Sequence, residues 1–127
     1  MSQVLLVGAG GFIGALLRYA LNSAIQRLTH NASFPYGTLV INLSGCLVIG
    51  LLSYLADARS AFTPEARAFV FIGILGAYTT FSTFGNETVG LAREGQTLLA
   101  LINIGAHIVF GLGAVWAGRA LAGAIWR

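Results

Sequence analysis

Four apolar stretches, each long enough to cross a bilayer, follow one another along the chain. They lie at about residues 4–28, 38–56, 66–92 and 98–125. About 20 apolar residues in an α-helix span the hydrocarbon core of a membrane. The two-residue alternation of a membrane β-strand is absent, and backbone groups in lipid must bond within their own segment, so helices are the remaining solution. The pattern predicts an all-α membrane protein, a single four-helix transmembrane domain over residues 1–127.

Short polar or proline-containing segments separate the four stretches. Pro35 disfavours helix at the end of the first connection, and residues 57–67 form a charged loop. Thr63 followed by Pro64 predicts a helix start with proline at the first helical position. Residues 93–96 are a short turn. No basic residue precedes the first apolar stretch, so we expect a retained span rather than a signal peptide.

Composition and charge exclude most soluble classes. Hydrophobic residues make up 57% of the chain and charged residues only 9%, against about 25% charged in a typical soluble domain. The few charges are scattered and form no basic stripe, which argues against nucleic acid as a partner. Cys46 is the single cysteine, so an intramolecular disulfide is impossible.

The arginines give little bias for the orientation of the chain in the membrane. With four spans, both termini and the middle loop share one side. Four arginines belong to that side and three to the other, too even a balance to fix a topology by the positive-inside rule. Insertion in both orientations and a modest bias completed by other signals both remain open. The two sets are Arg59, Arg67, Arg119 and Arg127, and Arg18, Arg27 and Arg93.

Glycines near the N-terminus have a spacing that is also found in dinucleotide-binding turns. Gly8, Gly11 and Gly14 fit it, but that site needs an alternating α/β domain and an acidic residue about 20 positions later, and the chain offers neither. Gly10 and Gly14 instead favour close contact between two helices.

The third stretch carries the strongest signal, a run of hydroxyl-bearing and aromatic residues at mid-span depth from Tyr78 to Phe84. Neighbouring glycines and threonines predict a break near Gly76 to Thr80. Non-helical backbone at that depth is tolerated only inside protein or along a cavity, and freed carbonyls there could coordinate a cation. Phe81 and Phe84 share a face and could meet an anion with their ring edges, although simple packing remains an alternative.

Four further polar residues lie within the other spans. Arg18 is either an interfacial anchor or a guide for anions, and Asn42 either binds an anion or joins two helices. Asn103 and His107 are one turn apart on the fourth span, facing the bundle or a pore. No arrangement of Ser, His and acidic residues suggests catalysis, so an enzyme is not expected.

Three segments together resemble the CrcB/Fluc family of fluoride channels. They are Gly11-x-x-Gly14-Ala15-x-x-Arg18, the run Gly37-Thr38-Leu39-Val40-Ile41-Asn42-Leu43-Ser44-Gly45, and Thr79-Thr80-Phe81-Ser82-Thr83-Phe84-x-x-Glu87. The resemblance covers essentially the whole chain. The Thr-Thr-Phe-Ser-Thr-Phe string is highly specific, and the departures are Tyr78 beside the break and the polar residues of the fourth span.

The resemblance implies passive fluoride export through two pores of an antiparallel, dual-topology homodimer, in a prokaryotic inner membrane. It implies a central structural sodium ion held by the backbone carbonyls of Gly76 and Thr79, and a pore vestibule near Arg18. The expected partners are fluoride, sodium, a second copy and the lipid bilayer. The candidate pore residues are Asn42, Tyr78, Thr80, Phe81, Ser82, Thr83, Phe84 and His107.

Two other classes of membrane protein fit the sequence less well. A small multidrug-type exporter has a similar length and four helices but needs an acid in its first span, and no acidic residue precedes Asp57. A non-transporting subunit of a larger membrane complex would explain the glycines but not the polar cluster of the third span.

Overall fold

The computed structural model describes residues 2–127, and Met1 lies outside the described residues. Its four membrane-length helical spans are α1 (Gln3–Leu28), α2 (Tyr36–Arg59), a third span over Pro64–Arg93, and α6 (Thr97–Ile125). Each is long and apolar enough to cross a membrane, with mean hydropathy between 1.5 and 2.1. The regular structure of residues 2–127 is entirely helical. The prediction of an all-α, multi-pass membrane protein is confirmed.

Local side-chain chemistry explains where the spans begin. The Ser2 hydroxyl accepts a hydrogen bond from the backbone N–H of Leu5 at the start of α1. At the third span, the Thr63 hydroxyl accepts from the Ala66 N–H at 3.2 Å, with Pro64 at the first helical position as predicted. Both contacts satisfy a donor that the first turn of a helix leaves free.

The third span is not one continuous α-helix. It begins with the single turn α3 (Pro64–Arg67), widens into a π-helical segment over Ala68–Leu75, and closes with the short α4 (Gly76–Tyr78). Two extended residues follow, and the chain then re-enters an α-helix as α5 (Phe81–Arg93). The break lies within the predicted range of residues 76–80. The π-helical segment was not predicted.

Glycines allow the first half of the third span to approach α1 closely. A Cβ atom at Gly10 would overlap the carbonyl oxygen of Phe69, and one at Gly14 would overlap the carbonyl oxygen of Ile74. Gly73 on the facing segment lies against Gly10 in turn. The predicted Gly10 and Gly14 pair therefore does bring two backbones together.

The second helix pair, α2 with α6, is built in the same way. Gly50 lies against the carbonyl oxygen of Val115, and Gly118 lies against that of Leu47. Helix α5 packs on α6 and positions the second half of the third span beside this pair. The break is therefore placed between the two glycine-based pairs.

Candidate functional site

The break in the third span is held by a side chain from α2. Thr80 has φ −149° and ψ 113°, an extended conformation in which the N–H and C=O of one residue point the same way. The Asn42 side chain bonds both groups. Its Oδ1 accepts from the Thr80 N–H at 2.8 Å, and its Nδ2 donates to the Thr80 carbonyl at 3.0 Å. The amide thus pairs with Thr80 as a neighbouring strand residue would.

The Thr80 side chain starts the second half of the span. Its hydroxyl oxygen accepts from the Thr83 backbone N–H at 3.3 Å and lies 2.9 Å from the Thr83 hydroxyl, to which it donates. The Ser82 hydroxyl lies 3.5 Å from the same oxygen. Ser82 and Thr83 are exposed and belong to the first turn of α5. This turn presents the positive end of a helix dipole toward the break.

Two carbonyl groups at the break lose the donors that a continuous helix would supply. The donor for Gly76 would be the Thr80 N–H, which is bound to Asn42 instead. The donor for Thr79 would be the Thr83 N–H, which is bound to the Thr80 hydroxyl. These are the two residues whose carbonyls the family resemblance implies as sodium ligands, and both line the groove described next.

An open groove of about 780 Å³ lies beside the break. Its walls come mainly from apolar residues of α2 and α6, with Phe71 and Leu75 from the π-helical segment. Seven of the residues singled out from the sequence line it: Asn42, Gly76, Thr79, Thr80, Phe81, Phe84 and His107. The structure therefore brings together most of the predicted site.

Aromatic rings line one end of this groove. The Phe81 and Phe84 rings have centroids 5.4 Å apart and are tilted by 54°. Phe81 is 82% exposed. The Phe84 ring also lies over the His107 imidazole, with centroids 4.2 Å apart.

Four predicted residues lie outside the groove lining. The Tyr78 hydroxyl lies 2.7 Å from the Ser44 hydroxyl of α2, and its ring packs on Gly45. Ser82 and Thr83 lie in the first turn of α5, with their hydroxyls beside that of Thr80. Arg18 is half-buried on α1. Their roles in a pore or vestibule remain predictions.

His107 belongs to a chain of hydrogen bonds whose other members could not be identified from the sequence. The His107 Nε2 lies 3.1 Å from the Asn42 Nδ2, and its Nδ1 lies 2.9 Å from the carbonyl oxygen of Asn103. The Asn103 side chain is fully buried and donates to the Thr88 hydroxyl at 2.9 Å. Thr88 in turn donates to the Phe84 carbonyl at 2.7 Å. Residues from α2, α5 and α6 are thereby linked to the break.

A second polar site near one end of the bundle was missed. The buried Thr38 hydroxyl donates to Glu87 Oε1 at 2.8 Å, while Glu87 Oε2 is buried with no partner among residues 2–127. A cavity of about 170 Å³ adjoins them and is lined also by Asn22 and Gln26. The only signal in the sequence was that Glu87 is the one acidic residue within a span.

Comparison with known proteins agrees with the resemblance found in the sequence. Residues 5–119 match the family model described as CrcB-like protein, Camphor Resistance (CrcB). A protein of Methanosarcina barkeri named fluoride-specific ion channel FluC 3 is 43% identical over 96% of this chain and 91% of its own length. Relatives with the same type of name occur in Streptomyces avermitilis, at 45% identity over 96% of this chain and 97% of the relative, and Methylobacillus flagellatus, at 42% over 93% and 92%. The chain belongs to the CrcB family.

Proposed function

We propose that this protein is a fluoride-selective ion channel that lets fluoride leave the cell passively, and that it is not an enzyme. The relatives that match nearly the full length of the chain are named fluoride-specific ion channels. The observation that carries the proposal is the open groove at the break, where Asn42, the extended backbone and the Phe81 and Phe84 rings meet on a mostly apolar face of the bundle. Hydrogen fluoride crosses lipid as a neutral acid and dissociates inside, and a pore lets the trapped anion leave down its gradient.

The chemistry of the groove suits a small anion that has lost its water. Amide N–H groups donate hydrogen bonds, phenyl ring edges carry partial positive charge, and the start of α5 adds the positive end of a helix dipole. No arginine lines the groove within residues 2–127. Donors without a fixed charge bind the ion tightly enough for entry and weakly enough for release.

A second copy is the proposed cover of the groove. The Gly76 and Thr79 carbonyls, which have lost their helical donors, cannot face hydrocarbon, because unsatisfied backbone groups in lipid are costly. The even arginine balance allows one copy to insert in each orientation. We therefore infer an antiparallel homodimer in the inner membrane, with two pores formed where the two grooves meet.

Sodium fits the freed carbonyl groups of the break. The Gly76 and Thr79 carbonyls have both lost their helical donors and lie near the negative end of the first half of the span. Unwound backbone and helix C-terminal ends of this kind coordinate sodium in membrane transporters. One pair from each copy would hold a structural ion, which would neutralise the carbonyl dipoles and join the copies.

Fluoride efflux from liposomes tests the channel function. A fluoride electrode should record rapid loss of fluoride from vesicles containing the wild-type protein and no matching loss of chloride. Phe81→Ile should reduce fluoride efflux by at least tenfold, because it removes a ring edge from the path. Phe12→Ile, a matched change on α1 at a ring 67% exposed and outside the groove lining, should not. Equal leakage of both anions, or of neither, would contradict the proposal.

The dimer and the sodium ion need separate measurements. Chemical labelling of loops in intact cells should find each loop on both sides of the membrane, whereas labelling from one side only would contradict dual topology. Sodium removal should weaken the association of copies in detergent, measured by light scattering, and restoring sodium but not an organic cation should reverse this. Association that is insensitive to sodium would contradict the structural ion.

A further inference from the structure

The His107 ring has one permitted tautomer in this structure. Its Nδ1 lies 2.9 Å from the backbone carbonyl oxygen of Asn103. A carbonyl oxygen only accepts hydrogen bonds, so Nδ1 must carry the proton. In the neutral ring, Nε2 is then an acceptor. The Phe84 ring packs against the imidazole, with ring centroids 4.2 Å apart.

The orientation of the Asn42 amide is fixed independently. Thr80 offers a donor and an acceptor, so Oδ1 must face its N–H and Nδ2 must face its carbonyl. One hydrogen on Nδ2 is used by the Thr80 carbonyl. The other is available for His107 Nε2 at 3.1 Å. The contacts of His107 with Asn103 and of Asn42 with Thr80 thus independently place the Asn42 N–H as a donor opposite His107 Nε2 as an acceptor.

Both N–H groups of the Asn42 amide are therefore engaged, one with the Thr80 carbonyl and one with His107 Nε2, and its Oδ1 accepts from the Thr80 N–H. The N–H bound to the Thr80 carbonyl maintains the break and cannot be released without disturbing it. An anion arriving at Asn42 can take only the N–H that is bound to His107. The imidazole nitrogen and fluoride are both acceptors, and they compete for one donor.

We propose that His107 is a positioning residue that acts through Asn42: its Nε2 holds the second Asn42 N–H and yields it to a passing fluoride ion. This proposal rests on the proposed channel function. Fluoride would bind at Asn42 by exchange for an existing hydrogen bond and not by meeting a free donor. When the Asn42 N–H bonds to His107 Nε2 again, it releases the fluoride ion, so the ion is not held too tightly to be conducted.

Flux measured as a function of fluoride concentration tests the exchange. His107→Leu removes the competing acceptor, so the fluoride concentration for half-maximal flux should fall about fivefold, the factor that corresponds to one ordinary hydrogen bond. The maximal flux should fall with it, because release becomes slower. His107→Gln keeps an oxygen acceptor near the position of Nε2 and should stay within twofold of wild type for both quantities. An unchanged half-maximal concentration in His107→Leu, or equal effects of both substitutions, would overturn the proposal.

A spectroscopic measurement tests the hydrogen bond without fluoride flux. The chain has two histidines, so His30→Asn leaves His107 as the single imidazole. Asparagine suits this exposed position because His30 has φ 52°. Nitrogen NMR should find Nδ1 protonated and Nε2 unprotonated, and adding Asn42→Ala should shift the Nε2 resonance. A protonated Nε2, or no shift, would overturn the proposal even if the leucine variant fails to fold. Absence of wild-type fluoride flux would instead refute the channel function.

Discussion

Replacing Asn42 by alanine should release the break in the third span. The side chain supplies the acceptor for the Thr80 N–H, a donor to the Thr80 carbonyl and a donor to His107. Alanine supplies none of these, and it leaves the Thr80 N–H without its partner in a half-buried position.

The size of the effect follows from these contacts. Hydrogen bonds made by side chains in membrane proteins contribute about 0.6 kcal/mol each on average, so the three made by Asn42 amount to about 2 kcal/mol. An unpaired N–H away from water adds about 1 kcal/mol or more. We expect a loss of about 2–4 kcal/mol, concentrated at the break. A loss of about 2 kcal/mol corresponds to roughly 30-fold faster local opening.

Amide hydrogen exchange in detergent micelles, followed by mass spectrometry, measures this opening directly. Peptides that contain Thr80 should exchange at least roughly 30-fold faster in Asn42→Ala than in wild type. Asn86→Ala is the matched control, because Asn86 is an exposed residue of α5. Equal exchange of the Thr80 peptides in both variants would refute the role of Asn42 in holding the break.

Three further changes have defined expectations. Gly14→Ala should lower the thermal midpoint of unfolding and cost about 1–3 kcal/mol, because the new Cβ atom overlaps the Ile74 carbonyl and forces the helices apart. Thr38→Val should cost about 1–3 kcal/mol in a denaturant titration, since Glu87 then loses the hydroxyl bound to Oε1 while Oε2 already has no partner within residues 2–127. Asp57→Asn should change stability by less than about 0.5 kcal/mol in the same titration, because its ion pair is exposed.

Controls accompany these changes. Gly8→Ala places a methyl group where nothing lies within 4 Å, so it should leave the midpoint unchanged or raise it through better helix propensity. A drop equal to that of Gly14→Ala would contradict the close-contact explanation. A large effect of Asp57→Asn that Arg119→Gln reproduces would show that their 3.2 Å pair is more than a surface contact.

The spans and the break could be predicted because their causes are local. Apolar runs bounded by Pro35 and Pro64 determine where helices can form, and threonines among glycines weaken the helix where Thr79 and Thr80 become extended. The contact at Gly10 and Gly14 also follows from spacing along one helix. Such features are determined by a few residues that are close together in the sequence.

The pairing of side chains across the bundle could not be predicted in this way. Asn42 and Thr80 are 38 positions apart, and Thr38 and Glu87 are 49 apart, so only the packing of α2 against the third span brings them together. From the sequence, Asn42 could join helices, the more common role of such a residue, or bind an anion. The structure shows it joining helices, and the proposed pore role depends on the one N–H that His107 holds.

Where α1 contacts the third span, two glycines four residues apart on α1 face two carbonyl groups five residues apart on the third span. Gly10 and Gly14 are one α turn apart, whereas the carbonyls that face them belong to Phe69 and Ile74, one π turn apart. Residues 68–75 therefore contain one residue more per turn than the α-helix they accompany. Deletion of one residue here would convert the π-helical segment to an α-helix, and both glycine contacts with α1 would be kept. In α6 the same loss would rotate all later side chains by about 100°.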